Sequence, residues 1–552
     1  MRRKELNGWR KVPSKAMVVG VWISIFVVAL AILILPASAD EEWSPDIRLT
    51  FDGSQGDPDH VVDSQGNIHV VYQDHREGDE QIYYKKLNKY GVTVVDDKLL
   101  ISAQRNREPE LCLDSQNNVH IVWQCQEKAG LGYDEEIYYA KLDNNGKILV
   151  RPKRLTPNDD RDSVVPDLAV DSMGNVHIVW EDYRDHPRHA QIYYTKLDNN
   201  GKTLVDDLKI TSSDEGAENP SIAVDSANNV HIVWQDCRTT LDWDIYYTKL
   251  DNNGNTLIDD KRLTYSERSV RPDLTIDSGN YLHMTWNECF EENENYYWSV
   301  YYAKLDEYGN HLTGITPVTN PPSYSYDPAI SVDSNRAVHI TWREREGDGH
   351  GLYYTKLWAP IQRLSDNSSV KSYPKIAIDS NDNVHLTWAD CRHGSSSIYY
   401  KTNAPMNYPT VSIYTDKTNY TTGDMMHVGI NVTNPGDAMP VRFAVWLEQP
   451  SGRIYVLTYT SVTLPTGLDY SNPDFAVFTL PGLPSGTYTW DAALIEASGS
   501  VVFISHDTVE WEFVSAVAGA APAEDIAGVL EQTTVDIRVA GSFIVRGREV
   551  VT

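Results

Sequence analysis

Seven histidines recur along the 552-residue chain in one local setting, and histidine can ligate metal, move protons or fill a buried hydrogen-bonding site. They are His69, His120, His177, His231, His283, His339 and His385, spaced 46 to 57 residues apart. Each follows an Asp-Ser pair and precedes an aromatic residue, as in Asp171-Ser-Met-Gly-Asn-Val-His-Ile-Val-Trp180. A residue that returns this regularly serves what every unit needs. The expectation is therefore a packed histidine bonded to the turn aspartate, with no metal and no catalytic role. The Asp-Asn-Asn-Gly turns at Asp143, Asp198 and Asp251 lack the ligand series and the bidentate glutamate of a calcium loop. No cofactor is implied.

Carboxylates offer a second chemistry. Asp182, Asp244 and Glu288 stand near strand ends, and two such groups at a set separation, one with a raised pKa, are what hydrolysis of a glycosidic bond requires. Four units carry Asp-x-Arg after the aromatic strand, at Asp74/Arg76, Asp182/Arg184, Asp236/Arg238 and Asp390/Arg392. Because each arginine brings its own aspartate, a self-neutralising pair between units is expected rather than an anion-binding ring. A third chemistry lies where the units differ. The divergent loops hold Trp243, Asp244, Tyr265, Glu288, the insertion from Glu291 to Trp298 that includes Tyr297, and then Tyr324 and Tyr326. Aromatic faces beside carboxylates and amides suit sugar rings, which present C–H patches and hydroxyls together.

The elements that position these residues follow from the period. Each unit holds an apolar strand of the Ser-Ile-Ala-Val type, an Asp-Ser turn, the Val-His-Ile-Val-Trp strand, an Ile-Tyr-Tyr strand and a short Arg-Leu-Thr strand. Four antiparallel strands in about 50 residues make one propeller blade, and such a blade is stable only when stacked on neighbours. The seventh unit stops after its third strand, near Asn403. Its missing fourth strand is expected from Ile47-Arg-Leu-Thr50, which matches Lys153-Arg-Leu-Thr156 and Lys261-Arg-Leu-Thr264.

These residues resemble the seven-bladed β-propellers, and among them the sialidase-like repeat propellers of archaeal and bacterial surface proteins. The resemblance implies a closed ring over residues 44–404. It does not carry the sialidase mechanism, since a sialidase Asp box reads Ser-x-Asp-x-Gly-x-x-Trp and here the Asp precedes the Ser. Nor does an Arg-Ile-Pro appear near the first blade. From Pro409 the period ends, and about seven alternating strands in residues 408–515 read as an immunoglobulin-like β-sandwich. The fold class is thus all-β, a seven-bladed propeller followed by a sandwich, with a linker and tail at 516–552.

Residues 1–39 read as an export signal or N-terminal membrane anchor, with a basic flank, an apolar run from Ala16 to Pro36 and Ala37-Ser-Ala39 before Asp40. The rest is expected outside the cytoplasm, secreted or on the cell surface, with any membrane contact confined to that anchor. A formal charge of −30 repels phosphate backbones and sets nucleic acid aside as a partner. Five cysteines, four of them (Cys125, Cys237, Cys289 and Cys391) at near-equivalent sites, are expected to remain free thiols. The leading functional expectation is a noncatalytic recognition protein that binds a glycan or a surface protein on the variable loops. The alternatives are a sialidase-like glycoside hydrolase and a structural envelope component.

Overall fold

The computed structural model describes residues 43–514, apart from short breaks at 52–53, 90, 92, 102–104, 130–131, 214, 239–241, 266–267, 293–294, 348, 366–367, 406–407, 437 and 498–502. The export segment and the tail lie outside the described residues. Among the described residues there is no helix, and hence none long and apolar enough to cross a membrane.

Seven four-stranded antiparallel sheets follow one another in the chain, the first formed by Gln55–Val62, Ile68–Asp74, Gln81–Leu87 and Thr93–Leu99. Their innermost strands touch in succession, and the strand Gln55–Val62 touches Lys371–Ile378 of the seventh sheet, so the ring is closed. The fold is a seven-bladed β-propeller. Strands two and three of each blade are apolar on both faces because each sheet is packed between two others. Trp123, Trp180, Trp234, Trp286, Trp342 and Trp388, with Tyr72 in the first blade, are fully buried. Burial of each contributes about 2–3 kcal/mol.

The recurring histidine has the expected role. In every blade it is buried, with Nε2 at 3.2–3.5 Å from the turn aspartate and Nδ1 at 2.7–2.9 Å from a tyrosine hydroxyl of the third strand. A carboxylate only accepts, so in the first six blades Nε2–H donates to it and the tyrosine O–H donates to Nδ1, whereas Nε2 of His385, at 3.5 Å from Asp379, makes no hydrogen bond. The same aspartate also receives the backbone N–H groups two and four residues on, as Asp171 does from Met173 and Asn175.

The first and last blades meet as the sequence predicts. Ile47–Arg48 is the outer strand of the seventh sheet, paired with Tyr399 and Tyr400. Arg48 donates to Ser397 at 2.9 Å, and Asp46 pairs with Arg392 at 2.7 Å and Lys401 at 2.8 Å. At the inner end, His60 occupies the place that Leu111, Leu168, Ile222, Leu274, Ile330 and Ile376 fill in the other blades. Its Nε2 is 3.1 Å from the carbonyl of His385 and its Nδ1 2.9 Å from the hydroxyl of Thr387. Lys375 of blade seven reaches past blade one to Glu110 of blade two, at 2.7 Å.

Residues Thr410–Phe513 form a three-stranded and a five-stranded sheet around a single core that contains Trp490, Trp511 and Tyr488. Buried Tyr488 and Trp490 alternate with more exposed Thr487 and Thr489, but Asp491, next on that outer face, is buried. It stands cross-strand from Trp446, which packs over Ala444, Ala493 and Ile495 on that face.

Burial holds the His60 imidazole down at about 4. The unfolded chain therefore binds a proton near pH 6.5 that the folded ring refuses, and acidification from pH 6.5 towards 4 weakens the seam by up to about 3 kcal/mol. Urea unfolding of wild type and His60→Leu at pH 7.5 and pH 5 is expected to show the stability difference shifting toward the variant at pH 5. An unchanged difference would place no titration at this seam.

Candidate functional site

The two variable loop sets share one face, and the same hydrogen bond joins them in every blade. The N–H three residues after the aromatic position donates to the carbonyl just before the innermost strand, as in Tyr183 to Asp162 (2.9 Å), Cys289 to Arg268 (2.9 Å) and Arg345 to Tyr324 (2.9 Å). The remaining blades use His75, Gln126, Cys237 and Cys391 in the same way.

On that face the expected site residues form a connected run over blades four to six. Asp244 is buried and binds Thr264 at 3.1 Å and the Arg262 guanidinium. Arg262 lies over the ring of Tyr265 at 4.7 Å, and Tyr265 is 75% exposed. The carbonyl of Trp243, half-buried, accepts from Ser269 N–H at 2.7 Å, and the Ser269 hydroxyl donates to Glu288 at 2.8 Å. On the hairpin's second strand, Tyr296 is exposed beside Arg268 at 5.8 Å. The rings of Tyr297 and Tyr324 are 5.1 Å apart, and the Trp298 N–H donates to Ser323 at 2.9 Å. Tyr326 lies under the Arg343 guanidinium at 5.1 Å.

Asp182, Asp244 and Glu288 share a different property. All three are buried and occupied: Asp182 accepts from Trp180, Ser163 and Arg184, and Glu288 from Trp286 and Ser269. A carboxylate after the buried tryptophan receives its indole N–H in blades three to seven, so it belongs to the blade framework. The Asp-x-Arg arginines do pair with their own aspartates, at 2.5–2.6 Å. The pairing lies within each blade rather than between blades. Its second carboxylate comes from the outer strand of the same sheet, Asp97, Asp207 or Asp260, or from Asp46 just before that strand, and the guanidinium lies 4.3–4.7 Å over a tyrosine. The cysteines are free, and no cluster of metal ligands occurs among the described residues.

A second set of residues escaped the sequence reading. Each innermost strand opens with a bulge at a residue followed by proline, and that residue has a positive φ of 43–53° in all seven blades. They are Asp57, Glu108, Val165, Asn219, Arg271, Asp327 and Tyr373. Left-handed backbone is unfavourable for most of these types, above all for β-branched Val165. The signal was available: Pro58, Pro109, Pro166, Pro220, Pro272, Pro328 and Pro374 recur, while the residue before each does not. In four seams the bulge N–H is received by a side chain of the preceding blade, Gln124, Glu181, Gln235 or Asn287, at 2.7–3.2 Å. Blade six has Arg343 at that position instead.

All seven bulges line a central cavity of about 710 Å³. On one side Arg271 and Arg343 converge on Asp327, at 2.5 and 2.6 Å. On the other stand Asp57 and Glu108. Burial raises Asp57 to about 6, with Lys375 and a hydrogen bond from Tyr373 acting against it. Burial, then the charge of Asp57, raises Glu108 to about 7. Two residues deeper, Glu110 is raised well above the usual carboxylate range by burial, against the pull of Lys375. The result is a concave mouth with carboxyl, amide, guanidinium and phenol groups, bordered by the aromatic rim.

The framework role of Glu288 has a measurable consequence. In Glu288→Ala the indole N–H of Trp286 and the hydroxyl of Ser269 lose their acceptor, at a cost of about 1–3 kcal/mol for each buried donor. The denaturant midpoint is expected to fall strongly for Glu288→Ala and less for Glu288→Gln, which keeps an acceptor. Equal midpoints would remove that role.

No protein-family profile matches the chain, and no curated protein matches it. Among solved structures, a protein of unknown function from Dyadobacter fermentans overlays with a TM-score of 0.42 and 10% identity, over 65% of this chain and 98% of its own. An ulvan lyase of polysaccharide lyase family PL25, bound to -[GlcA(1-4)Rha3S]-, gives 0.45 and 10% over 64% of this chain and 95% of its own. An α-L-arabinofuranosidase of Fusarium graminearum gives 0.41 and 10% over 53% and 91%. Similarity at this level assigns the chain to no family.

Proposed function

We propose that the protein is an extracytoplasmic, noncatalytic recognition protein that binds glycans on the face carrying its variable loops. In this reading residues 1–39 export or anchor the chain, 44–404 form a propeller of the sialidase-like repeat kind, 408–515 an immunoglobulin-like spacer, and 516–552 a linker and tail. The ligand-binding residues are Trp243, Tyr265, Tyr297, Trp298 and Tyr324, joined by Tyr296, with Asp244 and Glu288 holding them from beneath.

One observation carries the reading: on blades four and five two exposed tyrosine rings each lie against an arginine. Tyr265 rests on Arg262 and Tyr296 on Arg268. A sugar ring covers such a face with its C–H groups while its hydroxyls reach the guanidinium edges. A protein partner would call for a more continuous apolar patch than this interleaved surface offers. A purely structural component has no need of exposed, supported rings.

The exported chain is expected to bind at least one member of a broad glycan array. Tyr265→Ala and Tyr296→Ala are each expected to weaken that binding by about tenfold, of the order of one stacked ring. Absence of binding by the wild-type chain would end the glycan reading, and unchanged binding by both variants would move the site off this rim.

A further inference from the structure

We infer that the mouth of the central channel is a second subsite, which takes the terminal residue of a neutral sugar chain whose remainder lies across the aromatic rim. The inference rests on the glycan reading and adds the place and chemical class of the end group.

The first support is positional. Nearly everything around the seven bulges recurs from blade to blade, including the proline, the bulge and the positive φ, while the side chains at the bulges differ: Asp57, Glu108, Val165, Asn219, Arg271, Asp327 and Tyr373. A ring position that served only packing would repeat as the histidine and tryptophan do. Together these side chains offer acceptors, donors and one aromatic face around a single axis, the inventory a polyol needs.

Charge selects the class. Asp327 is engaged by Arg271 and Arg343, and Glu110 by Lys375. Glu108, held up at about 7, is only half ionised near neutrality. Seven carboxyl side chains line the cavity against the cations Arg271 and Lys375, so the mouth holds no surplus cation for a uronate. A neutral polyhydroxyl ring meets no such mismatch.

Depth selects the chain end. The Lys375–Glu110 pair stands two residues below the bulges, so a sugar chain entering from the rim meets it within the bore. The cavity of about 710 Å³ lies in the usual range for small-ligand sites. The route from the rim is short: Ser269 precedes Arg271 by two residues, and Tyr326, under Arg343, adjoins Asp327. Arg271 and Tyr373 are 57% and 49% exposed, so both are open to a ligand.

The test uses the exported chain and immobilised tetrasaccharides of glucose, galactose, mannose and arabinose, each coupled through its reducing end, beside the same chains ending in a uronic acid. Arg271→Gln and Tyr373→Ala, with wild-type melting temperatures, are expected to lower affinity for the best neutral tetrasaccharide at least tenfold and to erase the preference for it over its uronic-acid-ended form. Tyr265→Ala is expected to lower affinity while keeping that preference. Wild-type affinity in both mouth variants, with loss in Tyr265→Ala, would overturn the subsite and leave the rim reading standing. A wild-type preference for the acidic ends would overturn it as well, and no binding by the wild-type chain to any glycan would remove both.

Discussion

The structure depends on one constraint: seven sheets close on themselves only if the last can find a fourth strand. Left as it ends, the seventh sheet would present the open backbone edge of Ser395–Thr402 to solvent or to another chain. The strand Ile47–Arg48 covers that edge from the other end of the sequence, some 350 residues away. Its backbone pairing is short, so the junction is reinforced by Asp46 with Arg392 and Lys401, by His60 against blade seven, and by Lys375 across to Glu110. Only a closed ring brings seven bulges to a common axis, so the mouth exists because the seam holds.

Within a blade the recurring polar residues are spent on one another. The turn aspartate, the histidine and a tyrosine form one hydrogen-bonded unit. Hydrogen bonds from His69 and Asn67 hold Asp63 far below the usual carboxylate range against its burial, and Asp114, Asp171, Asp225 and Asp379 behave alike. The buried tryptophan, the carboxylate two residues on and, in blades three, four and seven, the Asp-x-Arg arginine form another unit. Groups so engaged are poor candidates for chemistry. The positions that do not repeat stand outside these units.

Much of this was legible in the sequence because period and turn chemistry are local. The 46 to 57-residue spacing of the histidines gave the blades, and Ile47-Arg-Leu-Thr50 revealed itself as a displaced fourth strand by matching its counterparts. The rim was legible as divergence in loops. The mouth was not, for two physical reasons. A bulge residue's direction depends on its φ, which the letter before a proline does not state, and seven residues scattered over more than 300 positions become neighbours only through closure. Asp491 shows the same limit, since its burial comes from Trp446 on another strand. The carboxylates Asp244 and Glu288 stood out by charge, yet the partners that occupy them, Arg262 and Ser269, lie across turns that spacing alone does not fold.

The residues at the mouth are unfavourable to the fold that carries them. A carboxyl whose pKa is raised on folding is destabilising above that pKa, because the charged form is better solvated in the unfolded chain; this applies to Asp57 and Glu108 at neutral pH. Positive φ at Val165, Tyr373 and Arg271 adds backbone strain that glycine or asparagine would relieve. Stability alone would favour the replacement of all five. Side chains kept in conformations and environments that disfavour them, gathered in one concavity, are what a site needs when its hydrogen bonds are completed by a ligand rather than by the protein.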